Sequence, residues 1–387
     1  MDGSLAASHK SRNAGIDLLR GIAIFLVVCH HIGLRLPLNR GILGPYLPRW
    51  STALLNFRGY HAVFIFFTIS GFLIARNSIQ RRGQLNHIHP GAFWMRRAAR
   101  ILPCLLTLLT VLSVLHLMGL HDYRISGPGQ TLPHALFSAL SLHLNWYEGL
   151  TGYLPANWDV LWSLSIEELF YLAFPLVCLM LRRDWLLASG MAIFALLLPW
   201  FLANTPGSEI WQEKAYLPGC SAIALGVLGA ILTRRFSTPH RWIAPVLCAL
   251  GTTGLIASLC CTRWILPLLH EKSMLLLTLS TLCLLLSFHW QGLDGRAWKL
   301  RGTGWLQSAG RMSYEIYLTH MFIVLPAVRL FQAHSAGQYW NPFVYLVALP
   351  LCWLLGWLMT RFLSAPTDRW LLRRWAAISP QPETISA

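Results

Sequence analysis

Charged side chains are scarce in this sequence. Only 12% of its 387 residues are Asp, Glu, Lys or Arg, whereas ordinary soluble domains carry about 25%. Hydrophobic residues make up 55%, and the mean hydropathy is +0.50. This balance excludes a disordered chain, a collagen-like fibre and a small disulfide scaffold. It is typical of a polytopic membrane protein.

Cysteine patterns that hold metals are also missing. The nine cysteines include the vicinal pair Cys260 and Cys261, but no C-x-x-C and no Cys–His spacing of a zinc site. An odd number of cysteines, most of them in apolar segments, also argues against a disulfide framework. We expect neither a metal nor a bound cofactor.

Acidic residues are the scarcer of the charged types. Fifteen Asp and Glu stand against 31 Lys and Arg, so the formal net charge is +16. In a soluble protein this excess would suggest nucleic acid. Here the basic residues lie between apolar runs, which is the pattern that orients membrane helices. We therefore expect no nucleic-acid partner.

Ten apolar runs approach the length of about 20 residues that a helix needs to cross a bilayer. They cover residues 16–34, 55–75, 99–119, 160–181, 185–203, 216–233, 243–261, 273–290, 312–332 and 343–363. The predicted fold class is all-α, with about ten transmembrane helices in one domain over residues 1–375 and a disordered tail over 376–387. Most Lys and Arg fall on one side if both termini are cytoplasmic, as the positive-inside rule requires.

The first external loop is the exception to this charge pattern. It carries Arg35, Arg40, Arg49 and Arg58. Four arginines on the outer side indicate either a functional surface or a second helix placed too early in the chain.

Ionisable residues inside a predicted span cost several kcal/mol unless they are paired or hydrated, so each is a functional candidate. In the first span, Arg20 and His31 lie about 16 Å apart along the helix and point to nearly the same side. His30 points about 100° away from His31. His31 is either a catalytic imidazole or a hydrogen-bonded packing residue, and the choice between His30 and His31 stays open.

Two arginines share one helical face at the start of the third span. Arg97 and Arg100 are three residues apart, and their guanidinium forks match the geometry of phosphate. They are either anchors at the cytoplasmic boundary or the site of a phosphate-bearing ligand. Pro103 follows the pair and predicts a broken helix, which membranes tolerate where the backbone lines a cavity.

The fourth and ninth spans carry further polar groups. Glu167 and Glu168 cannot both face lipid, so at least one faces a polar interior, either to favour the helix N-terminus or to orient an imidazole. Tyr314, Tyr317 and His320 form a stripe on one helix face. This stripe is either an interfacial aromatic belt with a snorkelling histidine or part of a site.

Taken together, five sequence blocks resemble, in the right order, the acyltransferase-3 family of integral-membrane O-acyltransferases. They are IDLLRG at 16–21 with His31, FF-x-x-SGFL at 66–73, R-x-x-R-x-x-P at 97–103, WSL-x-x-E-x-x-FY at 162–171 and SY-x-x-YL-x-H at 313–320. One departure lies near the C-terminus, where members often show Glu-x-Pro and this chain has Ser-Ala-Pro at 364–366.

The resemblance implies transfer of an acyl group, usually acetyl, from cytoplasmic acyl-CoA to a hydroxyl of an acceptor. It links Arg97 and Arg100 to the acyl donor and His31 to catalysis. The acceptor is then a cell-surface or lipid-linked carbohydrate, such as exopolysaccharide or lipopolysaccharide, and a small secondary metabolite stays open as an alternative. The expected location is the inner (plasma) membrane of a bacterium, where membrane lipids are also partners. Supporting residues from the same blocks are Asp17, Ser70, Trp162, Ser163, Tyr314, Tyr317 and His320.

The residues suggest a mechanism as a hypothesis. Arg97 and Arg100 hold the donor's phosphates, and His31 takes the proton from the attacking hydroxyl. Glu167 stabilises the charged imidazole, while Arg20 either helps to bind the donor or pairs with Asp17. An acyl-histidine intermediate remains an alternative to direct transfer. A secondary transporter for a lipid-linked sugar or organic acid is the competing function, since carriers also use intramembrane His, Arg and Glu.

Overall fold

The computed structural model describes residues 13–237, 239–293, 302–334 and 337–378, and these contain helices and connecting segments but no strand. The predicted all-α class is therefore confirmed. The α-helices are α1 Ala14–Gly33, α2 Arg49–Phe57, α3 Gly59–Arg82, α4 Pro90–Leu117, α5 Leu132–Leu140, α6 Leu144–Thr151, α7 Leu161–Met180, α8 Asp184–Leu196, α9 Leu198–Asn204, α10 Glu209–Lys214, α11 Tyr216–Arg235, α12 Ile243–Cys260, α13 Thr262–Leu269, α14 Lys272–Leu293, α15 Gly304–Arg311, α16 Ser313–Thr319, α17 Met321–His334, α18 Asn341–Met359 and α19 Ala365–Ile378.

Eight helical segments in the described residues are long and apolar enough to span a membrane. Two further spans are bent pairs, α8 with α9 at 41° and α16 with α17 at 46°. Counting each pair once gives ten, which agrees with the number of apolar runs in the sequence. The chain is thus a multi-pass membrane protein, and the cytoplasmic placement of both termini stays a prediction.

Several predicted boundaries were wrong. The helix that contains the second apolar run begins at Gly59, because the separate helix α2 precedes it; Arg49 is the first residue of α2, and Arg58 lies between α2 and α3. Helix α4 begins at Pro90, so the arginine pair lies inside the helix. The predicted break at Pro103 is absent, since α4 continues through this residue. A proline removes one backbone donor from a helix, and the buried neighbours Ile101 and Leu105 hold α4 on both sides of it.

Glycines bring α3 and α11 into backbone contact. A Cβ on Gly71 would lie 1.9 Å from the carbonyl oxygen of Ile223, and one on Gly226 would lie 2.0 Å from that of Thr68. Neither position therefore accepts a side chain. Small residues allow this approach between membrane helices, and it fixes Ser70, beside Gly71, at the core of the bundle.

Glycines also bring the backbones of α1 and α15 into contact. A Cβ on Gly21 would lie 2.0 Å from the carbonyl oxygen of Leu306, and one on Gly310 would lie 1.8 Å from that of Asp17. The crossing buries Asp17, which is 9% exposed. It also sets the position of Arg20, the neighbour of Gly21.

A buried ionic cluster surrounds the side chain of Lys214. The Lys214 ammonium contacts Glu148 at 2.7 Å and also pairs with Asp159. Lys214 and Glu148 are almost fully buried, and burial raises the pKa of Glu148 against the pull of the ammonium. The cluster ties α6 and the start of α7 to α10.

Two further expectations from the sequence concern the cysteines and the C-terminal tail. All nine cysteines are free. Helix α19 extends to Ile378, three residues past the predicted domain boundary, and the rest of the predicted tail, 379–387, lies outside the described residues.

Candidate active site

A cavity of about 530 Å³ lies among α1, α3, α4, α7, α16 and α19. It follows α3 from Arg81 to Val63, a distance of roughly 27 Å at 1.5 Å per residue. Two carboxylates line it, those of Glu167 and Asp368. Its arginines are more numerous: Arg20, Arg81, Arg96, Arg97, Arg100 and Arg311. We call the end that contains Arg81 and Arg96 the arginine-rich end.

Arg97 projects into the cavity from α4. Its guanidinium carbon lies 4.8 Å from the centroid of the Tyr171 ring. In the described part of the chain, no carboxylate is within ion-pairing distance of Arg97. The guanidinium is therefore supported by an aromatic face and keeps its charge and donors available for an anion.

Arg100 is engaged differently. Its guanidinium nitrogens lie 2.8 and 3.2 Å from the two carboxylate oxygens of Glu315. It also donates to the Ser364 hydroxyl at 2.8 Å, and that hydroxyl donates to Glu315 at 2.6 Å. Glu315 is completely buried, whereas the Arg100 side chain is 32% exposed. Its positive charge is thus largely neutralised, unlike that of Arg97.

Ser364 owes its position to an irregular turn. A π-helical segment, Thr360–Ser364, joins α18 to α19, and such segments frequently occur at functional sites. Ser364 begins the Ser-Ala-Pro sequence that departs from the family pattern. In this chain a carboxylate beside the arginine pair is nevertheless present, because Glu315 supplies it from α16.

Glu167 lies on the same side of the cavity as Arg97. The Tyr171 hydroxyl donates to Glu167 at 3.3 Å and also contacts the Ser70 hydroxyl. The tryptophan Trp94 donates to the backbone carbonyl of Tyr171 at 3.2 Å. Glu167 is therefore the carboxylate that faces a polar interior, as the sequence predicted for one of the two.

Other residues of the α1 and α16 motifs frame the cavity. Arg20 donates to the Ser313 hydroxyl at 2.8 Å. Tyr314 lies under the Arg100 guanidinium at 5.6 Å and donates to the carbonyl of Ile101 at 2.8 Å. Predicted interfacial anchors would face lipid headgroups, whereas Tyr314 is half-buried and lines this cavity.

The inner end of the cavity is closed by two hydroxyls. Ser163 donates to the Tyr317 hydroxyl at 2.8 Å, and Tyr317 donates to the carbonyl of Val160 at 2.9 Å. The described lining includes Ser163 and Tyr317 but not His31. Beyond Tyr317, the ring of His320 lies 6.0 Å away between centroids.

His31 lies in a group of imidazoles past this closure. Its ring centroid is 5.0 Å from that of His320 and 5.3 Å from that of His30. The His30 ring nitrogen Nδ1 donates to the carbonyl of Asn56 at 2.8 Å, and His30 packs against the backbone of Gly59. His30 is thus held by the start of α3, whereas no hydrogen bond to a ring nitrogen of His31 occurs within the described residues.

One predicted role does not match this geometry. Glu167 contacts Tyr171 and Ser70 in the described structure, not His31, because it lies at the level of Arg97 rather than at the end of α1. Trp162 is buried in the core, where it stacks on Tyr60 at 6.2 Å, and does not line the cavity. Glu167 is therefore not in contact with the imidazole that the sequence predicts it to stabilise.

Sequence reasoning missed Glu315 and the arginines outside the five blocks. Glu315 lies within the fifth block, between the tyrosines of the polar stripe. An acidic residue inside an apolar span is itself a signal for a partner in the protein interior. Arg81 and Arg311 carried no comparable signal, since basic residues at helix ends are common in membrane proteins.

These features agree with the comparisons with known proteins. A family model described as an acyltransferase domain, acyltransferase-3, matches residues 13–358. The match covers most of the chain, so the protein belongs to the acyltransferase-3 family. No solved structure matches at the significance threshold applied.

Several curated relatives come from Staphylococcus aureus. Proteins of strains COL and MSSA476, each provisionally named an O-acetyltransferase, are 25% identical over 379 residues, which is 91% of this chain and 56% of theirs. The O-acetyltransferase OatA of strain NCTC 8325 is 28% identical over 174 residues, 42% of this chain and 24% of its own. The chain thus spans about half the length of the first two relatives.

Proposed function

We propose that this protein is a membrane O-acyltransferase that moves an acetyl group from acetyl-CoA to a hydroxyl of a carbohydrate. The observation that carries this proposal is the cavity along α3, which has an arginine-rich end and ends at Ser163 and Tyr317, with the ring of His320 6.0 Å beyond Tyr317. A cavity that follows α3 for roughly 27 Å, with cations at one end, suits a nucleotide-tailed donor.

The donor's phosphates are assigned to the arginine-rich end. Arg97 has no carboxylate within ion-pairing distance in the described structure and is free to pair with phosphate, with Arg96 and Arg81 nearby in the lining. Arg100, held by Glu315, shapes the site and contributes less charge. The positive-inside rule then puts this end in the cytoplasm, where acyl-CoA is available.

The chemistry is assigned to His31. The acceptor hydroxyl loses its proton to a ring nitrogen of His31 as its oxygen attacks the thioester carbonyl. The new C–O bond forms, the C–S bond breaks, and the proton passes to the departing CoA thiolate. A base positioned in this way contributes typically about 10²–10⁴-fold to the rate.

The acceptor is proposed to be a cell-surface or lipid-linked carbohydrate. The relatives are named as O-acetyltransferases, and O-acetyl transfer requires an acceptor hydroxyl. Exopolysaccharide and lipopolysaccharide are the two candidates to test first. The proposed location is the plasma membrane of a bacterium.

The test is release of CoA and transfer of label. The purified full chain in lipid nanodiscs is supplied with radiolabelled acetyl-CoA and an extract of surface glycans. The proposal predicts release of free CoA and label on the glycan, both dependent on His31. Label that crosses a sealed proteoliposome without thioester cleavage would instead identify a transporter.

A further inference from the structure

A buried imidazole occupies the break between α16 and α17. His320 is the residue that joins the two helices at their 46° bend, and it is fully buried. Broken helices at membrane depth occur where the backbone is buried in protein or lines a polar cavity. The position of His320 is therefore fixed by the backbone on both sides.

The hydrogen bonds of His320 define its tautomer. Its Nδ1 lies 2.8 Å from the carbonyl oxygen of Tyr317 and 3.3 Å from that of Ile316. Carbonyl oxygens only accept, so Nδ1 carries the hydrogen, and in the neutral ring Nε2 carries a lone pair. This Nε2 is buried and has no hydrogen-bond partner in the described residues.

The ring that this lone pair can serve is that of His31. The centroids of the two rings are 5.0 Å apart and their planes are inclined by 45°. At this separation, ring nitrogens that face each other are within hydrogen-bonding distance. Such catalytic hydrogen bonds are often long in the absence of substrate and shorten in the complex.

A general base usually needs a third group that fixes its orientation. Glu167, for which the sequence predicts this role, does not contact His31 in the described structure. His320 has a fixed donor side, an unused acceptor side and a ring in contact with that of His31. No other described residue combines these three properties.

We propose that His320 is a positioning residue for the base. Its Nε2 accepts a hydrogen bond from one ring nitrogen of His31 and leaves the other nitrogen to receive the proton of the acceptor hydroxyl. This inference rests on the proposed function. It adds a neutral imidazole pair, in which His31 does the proton transfer and His320 selects its tautomer.

Two substitutions of His320 distinguish the contribution of Nδ1 from that of Nε2. Asparagine in His320→Asn keeps an amide donor near the position of Nδ1 but has nothing at the position of Nε2. Glutamine in His320→Gln brings an amide oxygen close to the position of Nε2, where it accepts as the ring nitrogen does. The matched control is His61→Asn, because His61 is also a histidine with a buried ring nitrogen, Nδ1, that has no described partner.

The experiment measures kcat and KM for acetyl-CoA with the full chain in nanodiscs and a glycan acceptor. We expect His320→Asn to lower kcat by about 10-fold or more, within the range seen when an orienting group is lost, while KM changes less than about twofold. His320→Gln should recover most of the loss, and His61→Asn should behave as wild type.

The outcomes are distinct. Equal activities of His320→Asn and wild type, or equal losses in the Asn and Gln variants, overturn the positioning role alone. A wild-type protein that releases no CoA with any glycan overturns the proposed function, and the inference with it. Reduced folding of both variants, read from size-exclusion profiles, assigns His320 a structural role and also overturns the inference.

Discussion

Arg100 and Glu315 form a two-contact ion pair at 2.8 and 3.2 Å, between the middle of α4 and the start of α16. The pair separates the functions of two arginines that look equivalent in the sequence. Arg100 is paired with a carboxylate of the protein itself, whereas Arg97 faces the cavity without a carboxylate partner in the described structure.

Loss of Glu315 should destabilise the protein. Glu315→Gln leaves the partly buried Arg100 without its counter-charge, and breaking such pairs costs about 3–5 kcal/mol when both members are buried. Because Arg100 is one-third exposed, we expect a smaller loss, about 2 kcal/mol. Thermal unfolding of Glu315→Gln, Arg100→Gln and the double variant gives the coupling energy. Additive effects of the two single changes would show that the pair contributes nothing.

Loss of Arg97 should weaken donor binding. Charge-assisted hydrogen bonds contribute about 1.5–3 kcal/mol, so Arg97→Ala should raise the Kd for acetyl-CoA about 10- to 100-fold. Acetyl-pantetheine, which lacks the phosphates, should bind wild type and Arg97→Ala equally well. Arg183→Ala, on an exposed arginine outside the cavity, serves as the control. The same loss of affinity for acetyl-pantetheine would rule out phosphate as the group that Arg97 contacts.

The hydroxyl pair at the inner end should limit passage to His31. Tyr317→Phe removes the acceptor of the Ser163 hydroxyl and the bond to Val160. We expect the variant to hydrolyse acetyl-CoA faster than wild type in the absence of glycan, because water then enters more readily. Ser163→Ala keeps the Tyr317–Val160 bond and should show a smaller increase. Unchanged hydrolysis in both variants would mean that these hydroxyls do not control access.

The contact between α3 and α11 should be intolerant of a single methyl group. Gly71→Ala places a Cβ within 1.9 Å of a backbone oxygen, and overpacking of this kind costs typically about 1–3 kcal/mol or more. Gly190→Ala in α8 is the matched control, because its nearest neighbour would be a flexible Leu181 methyl at 3.8 Å. Alanine is the better helix former, so the control should be neutral or slightly stabilised. Equal thermal stability of the two variants would contradict the close approach.

Much of the architecture follows from the sequence, because each apolar run must satisfy its backbone within a helix. The number of spans, the shared face of Arg97 and Arg100 and the polar setting of Glu167 belong to this group. The start of α3 and the path of α4 through Pro103 do not, since packing against other helices decides them. Periodicity within one helix cannot show which residue on a distant segment will be its partner.

The candidate site also combines features that the sequence predicts with features that depend on packing between distant segments. The motifs identified Ser70, Ser163, Tyr314 and Tyr317 as residues of one region, and all four line the cavity. The partner of Arg100 depends on a π-helical turn and on the bend after α16, neither of which has a distinctive sequence pattern. The sequence likewise could not show that His320 lies next to His31, because the two residues are on distant segments.

The account is tested most directly by separating donor binding from transfer in two variants. Acetyl-CoA affinity and single-turnover transfer to a glycan are measured for wild type, Arg97→Ala and His31→Gln. The account predicts that His31→Gln binds acetyl-CoA as wild type does but transfers at least about 100-fold more slowly, while Arg97→Ala binds weakly and transfers normally at saturating donor. Normal transfer by His31→Gln, or unchanged affinity in Arg97→Ala, would contradict it.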